Sequence, residues 1–125
     1  MLTVLEGLGP DVLGIEATGK VTHEDYQRVF IPIAESRMAK GPLNLLYVAG
    51  PDFAGYEVEA LWDDGAFGIE HWHHFGRIAV VTETAWLRAV ITIFSPFIPA
   101  EVRLFRPTEM EVAKDWTSRR EKAAA

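Results

Sequence analysis

At 125 residues the chain has the length of one domain and enough material to bury a core. Its 49% hydrophobic and 24% charged residues are the proportions of an ordinary globular protein. A net charge of −6 argues against nucleic acid, whose phosphates need clustered Lys and Arg, and the absence of Cys excludes disulfides and thiolate metal sites.

Residues 1–6 and 12–18 are predicted as strands, and the turn chemistry of Gly7-Leu8-Gly9-Pro10-Asp11 between them favours an antiparallel hairpin. Ile15 and Ala17 alternate with Glu16 and Thr18, as on a sheet with one wetter face. Thr22-His23-Glu24-Asp25 has the form of a helix start, with Thr22 as cap and acids in the first turn. Tyr26, Val29, Phe30 and Ile33 follow at i, i+3, i+4 and i+7, one face of that helix. Pro32 removes a hydrogen bond inside the pattern, so a kink is expected near Arg28, and Gly41-Pro42 ends the helix.

Residues 43–49 are nearly all apolar, the pattern of a central parallel strand covered on both faces, with 50–55 as the loop at its carboxyl end. From Tyr56 to Phe75 the text is weakly helical. Val58, Leu61 and Trp62 make a face, while Gly65 and Gly68 each weaken it by about 1 kcal/mol relative to Ala, so a bent, mobile element is expected. A strand over 77–82, a helix over 84–95 and a strand over 101–106 follow. A final helix opens at Thr108-Glu109-Met110-Glu111, with Met110, Ala113 and Trp116 facing in. The order β-β-α-β-α-β-α-β-α predicts a single α/β domain over 1–125. Its sheet is five-stranded, mixed but mostly parallel, with an N-terminal antiparallel hairpin, about four helices and right-handed crossovers.

The helix over 84–95 stands apart. Arg88 is the only charge between Glu83 and Glu101, and the run is apolar on almost every side. A surface helix usually shows one apolar stripe, so the surplus here must face another helix, a second subunit, a ligand or a lipid surface. Phe97-Ile98 follows in a Pro-bounded loop, and loops run over the surface. The run is too short to span a bilayer, and the first residues lack the pattern of a signal peptide. The expectation is a cytoplasmic protein that lies at most on a membrane. Residues 77–125 hold eight basic and six acidic side chains, against four and twelve before them. A mildly basic rim beside an apolar patch suits an anionic membrane, though scattered surface charge is the simpler and better account.

Several pieces together carry a family resemblance. They are Thr22-His23-Glu24-Asp25-Tyr26, Leu61-Trp62, Phe75-Gly76-Arg77-Ile78-Ala79-Val80-Val81 and Ala85-Trp86-Leu87. In these the chain resembles the SpoIIAA-like proteins, small bacterial domains grouped by fold with STAS and Sec14-type lipid-binding domains. The resemblance covers nearly the whole chain and implies that fold. It also implies a domain that binds hydrophobic ligands and associates with membranes through mobile helices. Antagonists of the STAS class carry a phosphorylatable Ser at the start of the helix after the central strand. The matching segment here, Gly50-Pro51-Asp52-Phe53-Ala54-Gly55-Tyr56, has no Ser or Thr, which speaks against that switch.

Other constellations weigh less. Glu70-His71-Trp72-His73-His74 places His71 and His74 at i, i+3, where a helix can aim ligands at one zinc, but the His-Glu-x-x-His spacing is absent. A solvated, partly titrating face is the alternative, with a mild pH sensor as a third reading. Asp63-Asp64 point in different directions on a helix. Gly50-Pro51-Asp52 occupies the place where open α/β sheets bind ligands but lacks phosphate-cradling glycines, and Asp52 can simply cap the next helix.

The expectation is therefore a non-enzymatic binding domain without a cofactor or a metal. Its apolar site comprises Trp62, Phe67, Trp72, Trp86, Val90, Ile93, Phe94 and Phe97, with Arg77 and Arg88 for an anionic head group. The partner would be a lipid-like small molecule or a membrane surface. Two alternatives remain: an interaction module that pairs with itself or a regulatory partner, and a metal-dependent enzyme built on His71, His73 and His74.

Overall fold

A computed structural model of the chain describes residues 1–9, 11–57 and 75–118. Five strands form one sheet in the order of the sequence: β1 (Leu2–Leu5), β2 (Val12–Val21), β3 (Leu43–Tyr56), β4 (Phe75–Thr82) and β5 (Glu101–Phe105). β1 pairs antiparallel with β2, and the other three pairings are parallel, as the sequence predicts. The α-helices among the described residues are α1 (His23–Asp25), α2 (Ile31–Met38), α3 (Ala85–Phe94) and α4 (Met110–Ser118). The helical element expected over 56–75 lies outside the described residues, except that Tyr56 closes β3 and Phe75 opens β4.

Each face of the sheet has its own core. Tyr26, Phe30, Ala34 and Met38 pack on Leu13, Ile15, Ala17 and Leu45 on one face. Ala113 and Trp116 of α4 pack on Val12, Leu46, Val48, Ala79, Val81 and Phe105 on the other. Leu45 serves the first core and Leu46 the second, which is why β3 reads as a continuous apolar run. The connections β2–β3 and β4–β5 step the same way across the sheet, and a common hand then puts both on one face. Ala100, between α3 and β5, accordingly packs against the first core.

The helix start at Thr22 is as the sequence predicts. Thr22 Oγ1 accepts from the Asp25 backbone N–H at 3.1 Å, and Asp25 Oδ2 accepts from the Thr22 backbone N–H at 2.8 Å. Partial burial pushes the Asp25 carboxyl up. The hydrogen bonds from Thr22 and the N-terminal ammonium 3.4 Å away outweigh this, and the pKa is lowered from its ordinary value. A depressed folded pKa stabilises above the unfolded carboxylate value, and that contribution is lost as pH falls through the folded one. Asp25→Asn should therefore cost about 1 kcal/mol at pH 7, as lost caps do. Urea unfolding of the two proteins should converge under acid conditions that protonate the carboxyl.

The break expected near Arg28 takes the form of a π-turn over Tyr26–Phe30, in which the Ile31 N–H reaches back to the Tyr26 carbonyl. Pro32 then falls in the first turn of α2, where a missing N–H costs little.

Two strands run past the carboxyl ends their sequence suggests, and β4 starts two residues early. Residues 50–55, read as a loop, continue β3, and β2 runs on to Val21. β3 pairs with β4 only as far as Ala49, opposite Thr82, so its last seven residues form a two-stranded ribbon with β2. Between the pairs Ala17–Ala49 and Gly19–Phe53 the register shifts, leaving Thr18 opposite three residues that include Pro51. A bulge of this kind is where a strand accepts proline. Asp52 consequently lies in the strand and caps no helix.

At the amino ends of β3 and β4, Asn44 ties three elements together. Its amide donates to the Thr117 carbonyl at 2.7 Å and accepts from the Arg77 backbone N–H at 2.8 Å. A Cβ on Gly76 would sit 2.9 Å from Asn44 Oδ1, so a larger residue there would push the Asn44 amide off these two hydrogen bonds.

Candidate apolar docking surface

α3 leaves β4 through Glu83-Thr84 and returns to β5 through a 3₁₀ turn, Ser95–Phe97. Its side chains divide by face. Leu87 is buried, and Arg88, Ile91, Ser95 and Ile98 are half-buried. Trp86, Val90, Ile93, Phe94 and Phe97 are exposed, at 49%, 41%, 63%, 56% and 72%. These five stand at i, i+4, i+7, i+8 and i+11, one stripe of a helix and the turn continuing it. The usual amphipathic arrangement is thus inverted, with the apolar stripe outward and the only charge of the helix inward.

Arg88 explains the inversion. Its Nη1 donates to the carbonyl oxygens of Thr82 at 2.8 Å and Phe105 at 3.1 Å, which lie at the carboxyl ends of β4 and β5. Terminal carbonyls of this kind need a donor when they are partly buried, and a guanidinium satisfies two at once. Holding Arg88 against the sheet turns the opposite side of α3 outward.

The amino end of the stripe rests on the β2–β3 ribbon. The Trp86 ring stacks on Phe53 at 5.8 Å and meets Tyr56 edge-on at 6.3 Å. The Tyr56 hydroxyl in turn lies 2.7 Å from that of Tyr47. The carboxyl end, from Ile93 to Phe97, is the most exposed part. This aromatic base for Trp86 depends on the continuation of β3, whose Phe53 the sequence places in a loop and whose Tyr56 it places at the start of a helical segment.

Arg77, the other expected head-group contact, lies on the α4 face. Its side chain is 11% exposed, and Nη1 donates to the Trp116 carbonyl at 2.8 Å. Its guanidinium carbon stands 5.2 Å from the centre of the Trp116 ring, and Glu101 is 3.6 Å from Nε. Arg77 and Arg88 are therefore not brought together, and both are engaged with main-chain carbonyls. Trp62, Phe67 and Trp72 lie outside the described residues, as do Asp63-Asp64, Glu70 and His71, His73 and His74. Among the described residues no group of three His, Asp or Glu side chains is placed to hold a metal ion. No described helix is long and apolar enough to cross a membrane.

A cleft of ≈ 280 Å³ opens at the carboxyl end of β4, where β3 runs on past it, lined by Gly50, Pro51, Glu83, Thr84 and Pro107. Its position is the one open α/β sheets use for ligands. The Thr84 N–H is taken by Thr82 Oγ1 at 3.1 Å, and Glu83 is paired with Arg106 at 3.0 Å. The cleft is small for an organic ligand, since such pockets run from about 300 to 1,000 Å³.

Comparison with known proteins places this geometry in context. None of the curated proteins matches the chain. A crystal structure of an uncharacterized protein of the DUF3478 family from Shewanella loihica PV-4, described as having a SpoIIAA-like fold, is similar throughout. It shares 26% sequence identity and a TM-score of 0.72, with 93% of each chain covered. The family profile described as SpoIIAA-like matches residues 12–118, a span from the start of β2 to the end of α4. The chain belongs to the SpoIIAA-like family.

Proposed function

We propose that the protein is a non-enzymatic binding domain that docks on a membrane surface, or holds a lipid-like molecule, through the outward stripe of α3. The observation that carries this reading is the orientation of Trp86, Val90, Ile93, Phe94 and Phe97, all 41–72% exposed on one side of an apolar helix. Contiguous exposed apolar side chains of this size mark an interaction site. Fully burying a large apolar side chain returns about 1.5–3 kcal/mol, and roughly half of each of these five remains to be buried. Part of that gain is offset by the loss of free motion on association, so the attachment is reversible.

Liposome flotation of the wild type beside Phe94→Asp and Phe97→Asp tests the reading. Both positions are exposed, so both variants should keep the wild-type stability within about 0.5 kcal/mol. Wild-type protein should float with vesicles, and the folded variants should lose at least about nine-tenths of that binding, a tenfold change being about 1.4 kcal/mol. Wild-type protein that stays in solution rejects the membrane reading. A second reading, a protein-interaction module that pairs with a copy of itself, draws on the position of β5. This strand ends the sheet beside α3 and pairs only with β4 among the described strands. Concentration-dependent mass without lipid binding would select it.

A further inference from the structure

Resting on the docking reading above, we infer that the surface α3 meets is electrically neutral, a zwitterionic lipid surface rather than an anionic one. An anionic leaflet is recognised by Lys and Arg side chains standing beside the apolar anchor, within about a Debye length of the head groups. Around this stripe the described cations are committed elsewhere. Arg88 projects inward, onto the carbonyls of Thr82 and Phe105. Arg77 and Arg103 lie on the opposite face of the sheet, with both guanidinium carbons 5.2 Å from the centre of the Trp116 ring. Arg106, at the amino end of α3, is neutralised by Glu83 at 3.0 Å.

Among the described residues, the rim beside the carboxyl half of the stripe is polar without being charged. Thr92 Oγ1 donates to the Arg88 carbonyl at 2.8 Å, and Ser95 Oγ donates to the Thr92 carbonyl at 3.4 Å, so both hydroxyls have a partner within the helix. Pro96 and Pro99 complete the turn at the protruding end. Where Trp86 meets the ribbon, the exposed Lys20 pairs with Gly55, and the chain opposite carries the acids Asp52 and Glu57 on either side of that glycine. The whole chain carries −6, so a negatively charged surface repels it at longer range. Attraction is thus left to the apolar stripe, and charge opposes an anionic bilayer. The three most exposed members, Ile93, Phe94 and Phe97 at 63%, 56% and 72%, gather at one end of the helix. Such a protrusion suits insertion between head groups better than the flat contact of a second subunit.

The test is flotation of the full chain with phosphatidylcholine vesicles and with vesicles in which about a third of the lipid is phosphatidylglycerol, each at about 50 and 500 mM NaCl. Binding to phosphatidylcholine should be the stronger or equal, and should change less than about twofold with salt. The phosphatidylglycerol vesicles should bind up to several-fold less at low salt and recover at high salt. A gain of about tenfold with phosphatidylglycerol that salt abolishes would overturn the inference while leaving membrane docking standing. Failure to bind either vesicle would overturn both. A mass that doubles with concentration in that case would assign the stripe to a second copy of the chain.

Discussion

Trp116→Ala is expected to destabilise the protein by about 3–5 kcal/mol, the range for truncating a large buried aromatic side chain. The indole is 6% exposed and tilts on Phe105 with ring centres 5.9 Å apart. Arg77 and Arg103 each approach its face, and Arg77 also donates to its backbone carbonyl. Truncation removes the packing partner of a β5 aromatic and the ring under two guanidinium groups together. Among the described elements α4 is the helix on that face, so no neighbouring helix stands ready to collapse into the space. Domains of this kind are stable by about 5–15 kcal/mol in total, so the loss is a large share. Urea unfolding measures it directly, and Trp116→Phe should recover part of it. A loss below about 1 kcal/mol for the alanine variant would show that α4 does not hold the second core.

The next largest effect is expected at Arg88. Arg88→Met keeps an apolar stem of similar reach and deletes the donor shared by the Thr82 and Phe105 carbonyls. Hydrogen bonds to charged groups contribute about 1.5–3 kcal/mol, and a stability loss of about 2–3 kcal/mol should follow. Arg88→Lys ends in an ammonium on a shorter stem and should restore only part. Vesicle binding by folded Arg88→Met should match the wild type, because the guanidinium faces the sheet. A loss of binding confined to phosphatidylglycerol vesicles would instead place Arg88 at a lipid head group.

The sheet was legible because its signals are periodic. Alternation on β2, the unbroken apolar run of β3, the cap at Thr22 and the helix start at Thr108-Glu109-Met110-Glu111 sit in a chain of alternating strands and helices. The reach of β3 was not legible. Gly50-Pro51 is turn chemistry by every local criterion. It becomes strand because β4 has ended at Thr82 and the bulge opposite Thr18 makes no demand on the missing N–H. That misreading hid the aromatic base under Trp86. The surplus of apolar surface on α3 was legible from composition alone, since one sheet cannot cover a helix apolar on all sides. Which side would turn outward was not. One of the two carbonyls that draw Arg88 inward, that of Phe105, belongs to the end of the next strand, and no local pattern announces that the two strand ends meet at one guanidinium.

Strand order that repeats chain order also bears on how the molecule assembles. No strand has to be threaded between two already paired. β3, β4 and β5 each add at the edge their predecessor has just left open, starting from the β1–β2 hairpin. Contacts therefore form between segments close along the chain, which lowers the loop-closure cost that makes parallel sheets slow to fold. A chain emerging from the ribosome meets its partners in the order in which they appear.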